Sequence, residues 1–335
     1  MVSLVDYARD ERTARVMLSM IVEPDDSNVG RLLRREGGIQ TMRLLDSEGP
    51  LPGVRPEQAA MLHYAAGQFG SRAGFEDDLA RALDGSYRPL IPGDAHWPVS
   101  VDALGDRAPY VLWARGATSF LATRQDARVT ITGSRAATAY GDHVAGELAS
   151  DAAMAEQIVV SGGAYGIDGA AHHGALAADG DTIAVMAGGP DRLYPAGHRD
   201  MLERVADLGL LMSEMPPGST PTRHRFIARG RLLAALSSAT VIVEAGARSG
   251  ALNVAREASA LGRGVGAVPG PVTSAASTGT HLLLQEGTAT LITGSHDVTA
   301  LTTDRRKTPR RGQGLDTGSV IDGLDLDEDR PGRSL

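Results

Sequence analysis

QIVVSGGAYGID, residues 157–168, decides the fold. Ile158, Val159 and Val160 run without alternation into Ser161-Gly162-Gly163, and a helical pattern, IDGAAHHGALAADG, opens at Ile167. An unbroken apolar run is what a strand buried on both faces requires. The small residues at its end bring bare backbone to the start of a helix, where amide groups and the helix dipole can meet an anion.

The same unit recurs. RVTITGS (128–134), TIAVMAGG (182–189), LLMSEM (210–215), TVIVEAG (240–246), GVGAVPG (264–270) and ATLITG (289–294) are further strand candidates. Alanine-rich helical stretches such as GDHVAGELASDAAMAE, RDMLERVADLG and NVAREASALGR lie between most of them. Strands alternating with helices predict an α/β fold, an extended doubly wound, mostly parallel sheet over 128–300 with right-handed crossovers.

Around it, residues 1–85 read as a small helical domain with Gly and Pro breaks, and 86–127 as an extended lead-in that packs on the sheet edge and carries both tryptophans, Trp97 and Trp113. Residues 301–335 run from the basic TTDRRKTPRRGQG to an acidic end with few large apolar residues, and are expected to be a disordered tail.

Composition narrows the chemistry. The chain has 335 residues, of which 42% are hydrophobic, enough for a globular core. It has no cysteine, no apolar run approaching the roughly 20 residues that span a bilayer, and charges where a signal peptide needs an apolar stretch; the cytoplasm is the expected compartment. Lys307 is the only lysine, which excludes a P-loop and a Schiff-base lysine in the body of the fold. The net charge of -8 leaves nucleic-acid binding to a local patch.

Ligands of doubly wound sheets sit at the carboxyl ends of strands, where strand order reverses. Here those ends are Gly133-Ser134-Arg135, Ser161-Gly162-Gly163, Gly188-Gly189 and the run from Ala245-Gly246 to Ser249-Gly250. Neither of the first two has the G-x-G-x-x-G spacing of a dinucleotide fingerprint. Arg135 and the run RHRFIARGR, with Arg223, Arg225, Arg229 and Arg231, supply guanidinium groups that match phosphate oxygens bidentately. His172-His173 lacks the spacing of a metal site, and no metal is expected. Asp168, Asp191, Glu214 and Glu244 lie near strand ends without forming a recognisable acid–base pair; Asp168 could cap the helix that begins there, and Glu244 could orient an arginine.

The run from GSRAATAYG through VVSGGAYGIDGAAHHGAL, FIARGRLLAALSSATVIVEAGARSGALNVAREASALGR and GAVPGPVTSAASTGTHLLLQEGTATLI resembles the DprA/Smf family of DNA-processing proteins in order and spacing across 128–295. The resemblance implies a Rossmann-like domain that binds single-stranded DNA, protects incoming DNA, forms homodimers and helps load the RecA recombinase in natural transformation, with no catalysis, cofactor or membrane. By position, Gly133, Ser134 and Arg135 match the family's G-S-R motif, Ser161, Gly162 and Gly163 its S-G-G loop, Arg229 and Arg231 the arginines of R-N-R, and Ser249 and Gly250 its S-G turn. Three positions depart. Gly230 stands inside R-N-R, Val254 replaces a threonine, and Tyr165 replaces an arginine and could stack a base instead. Two rival readings are a nucleotide hydrolase or sensor of the phosphoribohydrolase type, for which EAGARSGALNVARE offers Glu257 but not the full motif, and a scaffold that no longer binds DNA.

Overall fold

The computed structural model describes residues 3–303. The N-terminal helices are α1 (Glu11–Ile21), α2 (Ser27–Asp46, broken at Gly37), α3 (Pro56–Ser71) and α4 (Phe75–Ala82). Their starts are dictated locally. Asp10 accepts from Thr13 N ahead of α1, Asp26 accepts from Asn28 N and Val29 N ahead of α2, and Pro56 opens α3 where a missing N–H costs nothing. Leu18, Leu32, Met42, Leu62 and Phe69 pack with Val111 and Trp113 of the following segment.

That segment supplies two strands, β1 (Arg88–Leu90) and β2 (Leu112–Gly116), which pair antiparallel. The strand candidates from residue 128 onward all form: β3 (Arg128–Thr132), β4 (Ile158–Gly162), β5 (Thr182–Met186), β6 (Leu210–Ser213), β7 (Ala239–Ile242), β8 (Gly264–Ala267) and β9 (Thr290–Leu291). They build a nine-stranded sheet in the order β1-β2-β6-β5-β4-β3-β7-β8-β9. Pairing is parallel from β6 to β9, and β2 joins β6 antiparallel with Trp113 opposite Ser213. The chain lays down β3 to β6 outward in one direction, then returns to place β7 on the other side of β3. The reversal between β3 and β7 is the switch point of a doubly wound sheet.

Helices α5 (Ala139–Met154), α6 (Ile167–Ala177), α7 (Arg199–Leu208), α8 (Arg223–Leu236), α9 (Ala251–Ala260), α10 (Thr278–Gln285) and α11 (Ser295–Thr303) complete the layers. Successive strand residues face opposite ways. Val159 therefore packs with α5 and α6, while Val160 packs with α8 and α9. Both faces are covered, which is why these strands are apolar without alternation. Leu301–Thr303, expected in the tail, form the last turn of α11; the rest of that charged tail lies outside the described residues.

Candidate functional site

The β3 and β4 loops meet at the switch point. Ser134 N donates to the Glu244 carbonyl at 2.7 Å, and Ile167 N donates to the Ser134 carbonyl at 3.1 Å. Gly166 has a φ of +73°, and a Cβ there would lie 2.3 Å from the Ser134 oxygen. Only glycine lets the 163–166 loop rest on the Ser134-Arg135 loop in that conformation.

The two carboxylates at this point are occupied within the fold. Glu244 is buried, and its carboxylate accepts from Thr138 N (2.9 Å) and Thr138 Oγ1 (2.6 Å) at the start of α5. It holds Thr138, whose hydroxyl caps α5, and does not orient an arginine. It also places a negative charge where a doubly wound fold would otherwise present a helix N-terminus to a phosphate. Asp168 makes no cap. Its Oδ1 accepts from Thr132 Oγ1 at 2.6 Å and Ser161 Oγ at 3.3 Å, and its Oδ2 lies 3.5 Å from Arg229 Nη2.

Ser161 is fully buried and its hydroxyl also reaches the Ile131 carbonyl, so it ties β4 to β3. Gly162 has a different use: a Cβ would fall 2.3 Å from both Arg229 Nη1 and Asp168 Oδ2. The missing side chain is the room in which Arg229 lies. Gly163 packs against Met186 and Leu202, and its carbonyl meets His198 Nδ1 at 3.3 Å.

Arg229 is only 10% exposed, yet its guanidinium is poorly satisfied. Nη1 reaches the Val185 carbonyl at 3.4 Å, Nη2 reaches Asp168 at 3.5 Å, and Nε has no partner. Desolvation lowers its pKa; the Asp168 carboxylate opposes that shift and the neighbouring Arg135 charge adds to it. One turn earlier on α8, the Phe226 ring has the Arg135 guanidinium carbon 4.1 Å from its centroid and that of Arg229 at 5.4 Å. Arg135 itself is exposed. Tyr194 meets Phe226 edge-on at 6.0 Å, and Tyr165 meets His198 edge-on at 4.8 Å; both tyrosines are half-exposed. Two cations and two available rings thus crowd the carboxyl ends of β3, β4 and β5.

Arg231 is not among them. It is 1% exposed, and it points into the interior. Both its Nη atoms bond Glu214, Nη1 also bonds the Ala228 carbonyl, Nε donates to the Arg107 carbonyl at 2.7 Å, and Asp25 lies 3.1 Å from Nε. Desolvation opposes its charge, but the Glu214 carboxylate outweighs it and raises the pKa. Arg231 is a structural ion, and the expectation that it holds a phosphate is corrected. Arg225 pairs with Glu23, and Arg223 is exposed.

Ser249 and Gly250 sit at the start of α9, where Ser249 Oγ accepts from Ala251 N at 3.3 Å. Among the described residues no hydrogen bond or ring contact joins them to the Phe226 cluster. Gly230 and Val254 face one another across α8 and α9: a Cβ on Gly230 would lie 3.3 Å from Val254 Cγ2. Two of the three departures therefore concern one helix–helix contact. His172 is buried between Thr182 Oγ1 (2.8 Å) and the Gly162 carbonyl (3.0 Å), and burial pushes its pKa down to about 4. Among the described residues no cluster could hold a metal ion, and no helix is long and apolar enough to cross a membrane.

Phe226, Tyr194 and His198 escaped sequence reasoning. Phe226 had a usable signal, since it precedes Arg229 by three residues and so shares its helix face.

The family model for DNA recombination-mediator protein A matches residues 88–303, more than half of the chain. A putative DNA processing protein DprA of Mycobacterium tuberculosis (strain H37Rv) is 44% identical over 296 residues, covering 84% of this chain and 72% of the relative. The X-ray structure of DprA from Streptococcus pneumoniae superposes with a TM-score of 0.70 at 28% identity, covering 87% of this chain and 96% of the other. DprA from Helicobacter pylori, whose structure describes a single-stranded DNA binding mode, superposes with a TM-score of 0.58 at 31% identity over 64% of this chain and 94% of the other. The chain belongs to the DprA/Smf family of DNA recombination-mediator proteins.

Proposed function

We propose that the chain binds single-stranded DNA without catalysis, at the carboxyl ends of β3, β4 and β5. The observation that carries this is the Phe226 ring with the guanidinium carbons of Arg135 and Arg229 at 4.1 and 5.4 Å from its centroid. A stacking platform beside cations is what a single strand needs, because every base has a π-face and every linkage a phosphate. Arg135 and Arg229 hold phosphates, helped by backbone amides of the Gly133–Arg135 and Ser161–Gly163 loops, while Tyr165 and Tyr194 offer rings to bases. Ser249 and Gly250 extend the backbone path beyond β7. The single-stranded DNA binding described for the Helicobacter pylori relative supports the reading.

Family membership supports the wider role: a cytoplasmic homodimer that protects the incoming strand and passes it to the RecA recombinase during transformation. The non-catalytic reading rests on the carboxylates. Glu244 is bonded to Thr138, Asp168 to Thr132 and Ser161, and Glu257 is paired with Arg107. A phosphoribohydrolase would need one of them aimed at a ribose.

Fluorescence anisotropy with labelled oligonucleotides tests the site. Removing one cation from a phosphate of a single strand reduces the log–log salt slope by about 0.7. Arg135→Ala is expected to produce that reduction for all sequences alike, and Phe226→Ala to cost about 1–3 kcal/mol of stacking. Unchanged affinity in the double variant would defeat this assignment, and base released from nucleoside monophosphates would defeat the non-catalytic reading.

A further inference from the structure

The turn between α1 and α2 grips α8 close to the proposed strand site. Four of its five residues divide into two kinds. Asp25, in the left-handed region at φ +69°, is paired with both Arg107 and Arg231, and the Pro24 carbonyl lies 3.3 Å from His224 Nε2. Asp26 caps α2. These hold the turn in place. Glu23 does not share that burial: its side chain is 53% exposed, and its carboxylate accepts from Arg225 Nε at 2.9 Å and Nη2 at 2.7 Å.

Arg225 immediately precedes Phe226 in the first turn of α8. Its side chain is 16% exposed and its Nη1 donates to the Thr220 carbonyl at 2.7 Å, so the guanidinium is fixed in position even apart from Glu23. Glu23 presents two oxygens to the guanidinium fork, the same arrangement that a phosphodiester offers. A carboxylate this exposed gains little net free energy from its pair, because water competes for its oxygens. It can swing into solvent while the rest of the turn stays anchored through Asp25.

On the reading that this site binds single-stranded DNA, we infer that Arg225 is a further phosphate subsite, closed in the free protein by the Glu23 carboxylate and opened when a phosphate of the strand displaces it. Glu23 is then an internal competitor for the DNA backbone. The strand passing Phe226 meets Arg225 next, and Arg225 contributes its full charge only once Glu23 has left.

The test is a double-variant cycle in the full chain, read by anisotropy with a fluorescent oligothymidylate across salt concentrations. Glu23→Gln keeps the shape of the side chain and removes its charge. It is expected to raise affinity up to about fivefold at 0.1 M salt, the worth of a solvent-accessible ion pair that no longer has to be displaced, and to leave the log–log slope near that of the parent, because the phosphate rests on Arg225 in both complexes. In an Arg225→Ala background the same substitution is expected to change neither quantity. An equal gain in both backgrounds would show a general charge effect and overturn the subsite, as would no gain, or a loss, in the parent chain. These outcomes leave strand binding by the parent chain intact. If the parent and all variants fail to bind, the strand-binding reading itself falls and the subsite falls with it.

Discussion

The two faces of α8 treat the same side chain in opposite ways. Toward the N-terminal turn, Arg231 has four of its five N–H groups engaged, two with Glu214 and two with carbonyls. Toward the strand ends, Arg229 makes two contacts of 3.4 and 3.5 Å and leaves Nε without a partner. Both are largely withdrawn from water. The difference shows that two arginines withdrawn from water can differ in unmet hydrogen-bonding capacity, and on the proposed reading that capacity is what serves a ligand. A buried cation whose donors are matched belongs to the fold, and one whose donors are unmatched is poised for an anion from outside.

Arg231→Met breaks the comparison most severely. It leaves Glu214 buried without its counter-ion, and losing one member of a buried pair costs about 3–5 kcal/mol. Urea unfolding is expected to show that loss, with the affinity of the folded fraction for single-stranded DNA unchanged. Reduced affinity at undiminished stability would return Arg231 to the binding site.

How far this contrast could be read from sequence is instructive. Residues two apart on a helix point about 200° away from each other, so R-x-R on α8 cannot aim both arginines at one phosphate. The spacing already set the two on different sides of the helix. The strands from β3 to β8 were legible because burial on both faces leaves continuous apolar runs. β1 was not, since three residues including Pro89 carry no period. Gly133 and Gly162 were legible as strand ends, but the neighbour each accommodates was not. Thr138 and Glu244, which meet through two hydrogen bonds, are 106 positions apart, and nothing local in either stretch announces the other. The site reads as glycines and arginines in sequence, and becomes specific only when the fold assigns each carboxylate a partner.

His172 sharpens the comparison from below, because it lies under Gly162 on the satisfied side. With Nε2–H donating to the Gly162 carbonyl, Nδ1 is left as an acceptor for the Thr182 hydroxyl, the pattern of a neutral ring. That hydroxyl has the Val159 carbonyl as its other acceptor, at 2.8 Å. The folded pKa of His172, about 4, lies below the ordinary 6.5. The unfolded chain therefore binds the proton first as pH falls. Stability from this group is intact above pH 6.5 and declines toward pH 4, by about 3 kcal/mol over the interval. Denaturant titrations at several pH values are expected to show this decline, and His172→Gln to flatten it. Equal slopes in the two proteins would place the ring's titration elsewhere.

Tyr165 is the smallest lever and the most specific to the open face. Its half-exposed ring leans on His198 above Gly197, whose missing side chain leaves room for the phenol oxygen. If the ring stacks a base, Tyr165→Phe preserves affinity, because the hydroxyl takes no part in stacking. Tyr165→Arg then exchanges about 1 kcal/mol of stacking for one phosphate interaction. From a slope of about 0.7 per phosphate, that gain is about fivefold at 0.1 M salt, so the two terms nearly cancel there. The salt dependence separates them: Tyr165→Arg is expected to match the parent at 0.1 M and to bind more weakly at about 0.5 M, where the charge term fades and the stacking deficit does not. An unaltered slope would mean that no phosphate passes this loop, and it would confine the strand to the side of the cleft held by Arg135, Phe226 and Arg229.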